Sequence, residues 1–246
     1  MNASSRCARK LVKVLGAMKK FVVTIDGPSG AGKSTVSKAL AKKLTYIYLD
    51  TGALYRAFAY KVLDEGISPR DERALADLCS RIEIYLENIG GILNVFVDGE
   101  NVTKRIRNEE VGLTASTVSA VPAVRKRLLS IQRDVGENGG VVAEGRDMGT
   151  VVFPDADYKF YLDANVEERI RRRHSELQIR GGSSDYKTIA DDLVARDRQD
   201  RERDIAPLKA SEDAIIVDST TMSVREVVRK IISIIEGARD SNGSHK

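Results

Sequence analysis

Cysteine, tryptophan and long apolar runs are scarce or absent in this sequence. Its two cysteines, Cys7 and Cys79, are far apart and form no CxxC pair. This argues against a disulfide framework or a cysteine-ligated metal and favours a cytoplasmic location. Tryptophan is absent and aromatic residues make up 5% of the chain, so base-stacking platforms for nucleic acid are not expected. No apolar run approaches the length of a membrane span, so a membrane partner is not expected either.

The composition that remains is that of a globular enzyme-sized domain. The chain has 246 residues, of which 42% are hydrophobic and 31% charged, enough for one substantial α/β core with inserts. No repeat of solenoid length is present. The net charge of +4 fits an anionic ligand better than a track for nucleic acid. A small anionic partner is therefore favoured.

The two ends of the chain differ in character from the middle. The opening MNASSRCARKLVKVLGA is basic, has no acidic residue and precedes a second methionine, Met18. We interpret residues 1–20 as an extension expected to be disordered; a short transit peptide or a misassigned start codon are the alternatives. The ending GARDSNGSHK predicts a frayed tail over 239–246. Residues 21–238 remain for a single domain.

The stretch IDGPSGAGKSTVSKAL matches the phosphate-binding pattern G-x-x-x-x-G-K-[ST]. A short β-branched run precedes it and a helical apolar period follows, as that pattern requires. The glycines let the backbone turn its N–H groups toward phosphate, Lys33 reaches the β- and γ-phosphates, and Ser34 can ligate Mg²⁺. The sequence therefore predicts a bound nucleoside triphosphate with Mg²⁺. The predicted loop consists of Gly27, Pro28, Ser29, Gly30, Ala31, Gly32, Lys33, Ser34 and Thr35.

The remaining pattern predicts alternating strands and helices. About five buried strands with helices between them favour an α/β, doubly wound parallel sheet. IEIYL and ILNVFV interrupt this order and predict a β-hairpin, within a small antiparallel insert at about 67–110. HSELQIRGGSS predicts a short helical lid at about 170–190, and the helix after it is expected to end at Pro207.

Arginines at the predicted ends of elements, with carboxylates beside them, indicate a second anionic ligand. Motifs of GTPases and of transporter ATPases are missing, so the phosphoryl group is expected to go to a small molecule. A charge run on one helix is by itself most often a solvated face. Together with the arginines elsewhere in the chain, this charge run favours a site that neutralises two phosphates during phosphoryl transfer. These side chains are Arg56, Glu144, Arg146, Asp147, Arg196, Asp200 and Arg203.

Six motifs in order resemble the bacterial-type cytidylate kinase family, a group of P-loop nucleoside monophosphate kinases. They are TIDGPSGAGKST, LDTGALYRA, EGRDMGTVVFPDA, RDRQDRER, APL and DST. The resemblance runs from about Phe21 to Ile235, and Glu144 stands where many family members have aspartate. It implies ATP as donor, CMP and dCMP as acceptors in pyrimidine metabolism, a nucleoside-monophosphate-binding role for the insert, and a monomer.

The resemblance also implies a role for each matching residue. A carboxylate can accept from the cytosine amino group, while arginine and serine can donate to its acceptor atoms. Those implied to bind the acceptor are Arg56, Arg146 and Arg203 at the phosphate, Ser116, Arg125 and Asp147 at the base, and Arg196 and Asp200 at the ribose. Those implied to act on the transferred group are Lys33, Arg146, Arg172 and Arg173, with Arg169 a further lid arginine.

Three other functions are considered beside this one. A uridylate-preferring or shikimate-type kinase would share the phosphate loop. A regulatory module could bind a nucleoside triphosphate without transferring phosphate, although its switch motifs are missing. A basic RNA-binding protein would bind with a steep salt dependence.

Overall fold

The structure, a computed structural model, describes residues 20–89, 92–179 and 185–243. The predicted extension up to residue 19, the lid residues 180–184 and the last residues of the tail lie outside this range. The strands are β1 (Val22–Asp26), β2 (Ile47–Asp50), β3 (Ile84–Ile89), β4 (Ile92–Val97), β5 (Glu100–Asn101), β6 (Val141–Gly145), β7 (Tyr158–Asp163) and β8 (Ile215–Asp218). The helices are α1 (Lys33–Leu44), α2 (Thr51–Asp64), α3 (Glu72–Arg81), α4 (Glu109–Val118), α5 (Pro122–Gly136), α6 (Val166–Ile179), α7 (Tyr186–Glu202) and α8 (Val224–Gly243).

A five-stranded parallel sheet forms the centre, in the order β2-β6-β1-β7-β8. The inner strand β1 is apolar and buried, with Val23 and Ile25 fully covered, because both faces of the sheet carry helices. Helices α1 and α8 pack on one face. Helix α5 and a π-helical turn over residues 148–152 pack on the other. The predicted doubly wound sheet is confirmed.

A second, antiparallel sheet of β3, β4 and β5 lies beside the first. The predicted hairpin is confirmed, and Tyr85 and Phe96 stack across it with ring centroids 5.0 Å apart. The hydrophobic core beneath this sheet is shared with α2, α3, α4 and α5. Apolar contact therefore continues past residue 110, where the insert was expected to end, and the insert boundaries stay a prediction.

Two local expectations differ from the structure. Helix α4 was not predicted from its mixed polar sequence; it begins after Asn108, whose side chain accepts from the Val111 amide at 2.8 Å. Helix α7 ends at Glu202 and not at Pro207, because Arg203 is extended (φ −65°, ψ 140°) and Leu208 N–H donates to Asp200 O at 2.7 Å. Arg203 therefore lies just beyond the C-terminal end of α7 and is not one of its helical residues.

None of the helices in the described part of the chain has the length and apolarity that crossing a bilayer requires.

Candidate active site

A cleft of about 770 Å³ opens above the carboxyl ends of the parallel strands. Ligands of doubly wound folds bind at this edge of the sheet. Residues 29–35 of the phosphate loop line one end of the cleft, and arginines of α2, of α7 and of the segment after β6 line the other. The volume lies in the range of small-molecule sites. The residues predicted to bind the phosphoryl donor and those predicted to bind the phosphoryl acceptor therefore line the same cavity.

Backbone geometry explains the glycines of the phosphate loop. Gly30 and Gly32 have φ angles of 76° and 88°, which side-chain-bearing residues rarely adopt. A Cβ on Gly27 would stand 2.0 Å from Leu162 O, so a side chain does not fit there. Helix α1 starts directly after Gly32, and no side chain of the described residues caps its first turn. Its free N–H groups are available to an anion.

Lys33 lies buried under this loop, where its Nζ donates to Pro28 O at 2.7 Å. Burial, followed by the charge of Arg146, lowers the pKa of the Lys33 amine to about 7. Nearby carboxylates of Glu144 and Asp200 act in the opposite direction. An anionic ligand would offset the cost of burying the charged Lys33 amine, because it would favour the protonated form.

Oxygen-bearing side chains surround Ser34 at the start of α1. The Tyr48 hydroxyl donates to the buried Glu144 carboxylate. Burial and the charge of Asp50 raise the pKa of Glu144. Hydroxyl and carboxylate oxygens are donors that Mg²⁺ accepts when substrate phosphates supply the rest. In the described residues, no group of three or more His, Cys, Asp and Glu side chains suits a metal by itself, so the donor set fits Mg²⁺ bound mainly through nucleotide.

Three arginines at the acceptor end have buried nitrogens without a hydrogen-bond partner among the described residues. These nitrogens are Arg56 Nε, Arg196 Nε and Arg203 Nη2. Burial and repulsion by Arg146 lower the pKa of Arg196 to about 10. Burial and Arg125 also lower the pKa of Arg203. Buried donors are normally satisfied, so this cluster is chemically suited to a phosphate oxygen.

Carboxylates hold these arginines in place. Arg56 pairs with Asp50 at 3.1 Å, and Asp50 also caps α2 by accepting from the Ala53 amide. Arg146 Nε donates to Asp200 at 2.7 Å. Arg203 stands 3.9 Å from Asp200 and 3.9 Å from Asp147. The predicted phosphate and ribose residues are thus brought together at the ends of β2, β6 and α7.

Arg125 and Asp147 form a buried ion pair at the same end of the cleft. Arg125 also donates to Ser119 O at 3.0 Å. Burial raises the pKa of Asp147, and the neighbouring Arg125 counteracts that effect. The turn after Asp147 is held by Asp26, whose carboxylate accepts the Met148 and Gly149 amides, each at 2.8 Å. The pair therefore presents a fixed acceptor beside a fixed donor.

Ser116 lies on α4 in the same cleft. Its hydroxyl donates to Gln199 Oε1 at 3.2 Å, and Gln199 Nε2 donates back to Ser116 O at 3.2 Å. This reciprocal contact joins α4 to α7. Ser116 is thus brought into the acceptor end, with its hydroxyl engaged by a residue that the sequence did not single out.

The three lid arginines have different surroundings. Arg169 is buried in an ion pair with Asp197. Arg172 pairs with Glu168 at 2.8 Å and donates to Ser219 O at 2.7 Å, beside the phosphate loop. Arg173 pairs with Glu176 and lines the cleft. Arg172 and Arg173 line the cleft, whereas the Arg169 side chain lies beneath the loop.

Sequence reasoning missed several residues that shape this site. Asp26 stands directly before the phosphate loop, and Tyr48, Asp50 and Thr51 stand at the end of β2, a position where site residues are expected. Their positions at strand ends could have identified all four as site residues. Asp197, Gln199 and Ser219 were not singled out, because each has a contact more than 80 positions away in the chain, with Ser29, Ser116 and Ala31 respectively.

Known proteins resemble this chain over most of its length. A family model described as cytidylate kinase matches residues 23–237. The chain is 45% identical over 217 residues to the cytidylate kinase of Caldicellulosiruptor bescii, covering 88% of this chain and 96% of that protein. It is 51% identical over 207 residues to the cytidylate kinase of Geobacter sp. (strain M21), covering 84% and 89%.

Likeness to solved structures is weaker. A gluconokinase from Sinorhizobium meliloti 1021 aligns with a TM-score of 0.49 at 14% identity, covering 93% of this chain and 99% of that one. Those values carry no conclusion about activity. The family model spans most of the chain and the sequence relatives are close over nearly their whole length. This chain therefore belongs to the cytidylate kinase family.

Proposed function

We propose that the protein transfers the γ-phosphoryl group of ATP to the phosphate of CMP or dCMP, giving ADP and CDP or dCDP. One observation carries the proposal: a single cleft has the phosphate loop at one end and, at the other, arginines with unsatisfied nitrogens beside the Arg125–Asp147 pair. Membership of the cytidylate kinase family supports it. It acts in pyrimidine nucleotide metabolism, as a cytoplasmic monomer.

At the donor end, the loop N–H groups and the start of α1 bind the ATP phosphates. Lys33 places its ammonium against the β- and γ-phosphates. Ser34, with Glu144 nearby, would hold Mg²⁺, which would neutralise charge on the phosphates when bound. The buried position of Lys33 and its lowered pKa support an anion at this place.

At the acceptor end, Arg56, Arg146 and Arg203 bind the phosphate of the monophosphate. Arg196 and Asp200 bind the ribose. The unpartnered nitrogens of Arg56, Arg196 and Arg203 support an anionic occupant of this end. A phosphate there would satisfy donors that the described residues leave unsatisfied, which stabilises the complex by more than a surface contact would.

The base is selected by Ser116, Arg125 and Asp147. Asp147 accepts from the cytosine amino group, and Arg125 and Ser116 donate to its acceptor atoms. Uracil has an acceptor where cytosine has the amino group, so the Asp147 carboxylate would face a lone pair. A buried acceptor left opposite an acceptor costs about 1–3 kcal/mol, so CMP is favoured over UMP.

Transfer requires charge neutralisation more than covalent help from the protein. Lys33, Arg146, Arg172 and Arg173 supply positive charge around the group in flight. In a desolvated cleft these charges act more strongly than they would in water. The protein thus contributes position and electrostatics, while the acceptor phosphate itself is the nucleophile.

A coupled assay of ADP release with CMP, dCMP, UMP, AMP and shikimate tests the proposal. We expect activity with CMP and dCMP to exceed that with each other acceptor by at least roughly tenfold. Equal activity with UMP, or preference for AMP or shikimate, would overturn the acceptor assignment. ATP binding without transfer to any acceptor would favour a regulatory module instead.

A further inference from the structure

Two buried charged residues outside the cleft hold the backbone of the phosphate loop. Arg169 on α6 and Asp197 on α7 form an ion pair, and their exposed fractions are 4% and 2%. Neither is assigned a role in the reaction above. A buried ion pair is by itself a poor source of stability, because both charges lose their hydration. Its contacts with the loop indicate a different purpose.

Both partners bind Ser29 of the loop. The Ser29 N–H donates to Asp197 at 3.1 Å, and Arg169 Nη1 donates to Ser29 O at 2.9 Å. Arg169 Nε also donates to Ala164 O at 3.0 Å, which anchors the guanidinium to the end of β7. A Cβ on Gly30 would stand 2.9 Å from both Arg169 Cβ and Arg169 O, so the loop rests directly on α6.

These contacts decide the direction in which the loop amides point. A trans peptide holds its C=O and N–H in opposite directions, and no cis peptide occurs in the described residues. Because Arg169 holds the Ser29 carbonyl, the Gly30 N–H points away from α6. The preceding peptide is held at both ends, with Pro28 O accepting from Lys33 and Ser29 N–H donating to Asp197.

We infer that Arg169 and Asp197 are positioning residues that orient the phosphate-loop amides for the ATP phosphates. The inference rests on the proposed ATP site and deepens it. The pair is neutral overall, so it fixes the loop without placing net charge behind the phosphates. Neither side chain touches the substrates; both act through the Ser29 peptides. Arginine suits this task because one guanidinium reaches Asp197, Ser29 and Ala164 together.

The test separates orientation of the loop from ordinary stability. Arg169→Met and Asp197→Leu each leave one buried charge unpaired, so we expect each to lower the melting temperature by about 10 °C. The double variant removes both charges, and its melting temperature should return close to that of the wild type. Its dissociation constant for ATP·Mg²⁺ should nevertheless stay roughly tenfold higher, because the loop amides are no longer oriented.

Separate calorimetric titrations of the full chain, one with ATP·Mg²⁺ alone and one with CMP alone, give the decisive readouts. We expect the double variant to lose affinity for ATP and to keep its affinity for CMP unchanged. ATP affinity equal to that of the wild type would overturn the inference, and so would an equal loss of both nucleotides. Replacing the exposed pair Arg198 and Glu202 on the same helix by alanine is the matched control and should change neither affinity.

Two further outcomes are covered. Should the double variant not fold, the single variant Arg169→Met takes its place below its melting temperature, since it removes the hydrogen bond to the Ser29 carbonyl; unchanged ATP affinity in it would also overturn the inference. A wild type that binds no ATP would contradict the proposed function itself. A wrong acceptor assignment would leave the comparison of ATP affinities intact.

Discussion

Asp147 is oriented by Arg125 within a buried ion pair, and Arg203 stands 3.9 Å from the same carboxylate. The carboxylate proposed to select cytosine is therefore held by two cations. A group fixed in this way cannot turn to suit a different base edge without breaking a buried pair, which is costly. The proposed base selection therefore relies on a rigid acceptor beside rigid donors.

Replacing Asp147 by asparagine should lower kcat/KM for CMP. It should also bring the kcat/KM values for CMP and UMP closer together. The amide can turn a donor toward the uracil oxygen, and the discrimination at stake is about tenfold to a few hundredfold. Arg56→Ala should lower kcat/KM for both substrates together, since its proposed partner is the shared phosphate and its carboxylate partner is Asp50, not Asp147. The measurement is kcat/KM for both nucleotides in the three proteins. Equal losses for CMP and UMP in Asp147→Asn would show that this carboxylate does not select the base.

Replacing Lys33 by alanine should reduce kcat by roughly a thousandfold while the fold is retained. The ammonium becomes more important as charge develops on the transferred group, so the loss is expected in kcat more than in KM for CMP. Single-turnover kinetics and circular dichroism on the same preparation check both points. A folded variant with ordinary turnover would contradict the role given to the loop.

ATP binding should take up a proton near pH 8. The unliganded amine of Lys33 has its pKa lowered to about 7, so it is mostly neutral there, and the phosphates raise that pKa when they bind. ATP affinity should therefore fall as the pH rises above about 7. Calorimetry in two buffers of different ionisation heat, at about pH 8 where the nucleotide is already ionised, measures the uptake.

The same titration with Lys33→Met is the control, and its uptake should vanish. Proton release by the wild type, or equal uptake by both proteins, would contradict the assignment.

Ser34→Ala should raise the Mg²⁺ concentration needed for half-maximal activity, because one oxygen ligand is lost. Binding of ATP without metal should change little. The matched control is Ser37→Ala, one turn further along α1, where the hydroxyl is buried and has no hydrogen-bond partner among the described residues. A Mg²⁺ dependence that shifts equally in both variants would show that Ser34 does not meet the metal.

The fold could be predicted to the extent that its signals are local. The phosphate loop, the strands around it and the hairpin at 84–97 follow from glycine positions and apolar periods within short windows. The start of α8 is equally local, since the Ser223 N–H donates to Glu226 three positions later at 2.8 Å. Helix α4 was missed because its alternation of small and polar residues carries little helical period.

The candidate site could be predicted in part, through the resemblance. The residues that hold the site in position could not, because they act across long separations in the chain. Ser29 meets Arg169 and Asp197 from 140 and 168 positions away, and an exposed-looking charge run gave no sign that Asp197 is buried. Packing decides such contacts, and a single sequence does not display packing.

Asp26 joins the two halves of the cleft through the sheet. It ends β1 directly before the phosphate loop, and it holds the amides that directly follow Asp147 beyond the end of β6. Neighbouring strands stand about 4.8 Å apart, and Asp26 is aligned with Gly145 across that gap. The distance between the two ends of the cleft is thus a property of the scaffold. Substitutions on α4 and α5, which carry Ser116 and Arg125, can alter contacts with the acceptor while that distance stays constant, so the acceptor end can evolve without changing the reach of phosphoryl transfer.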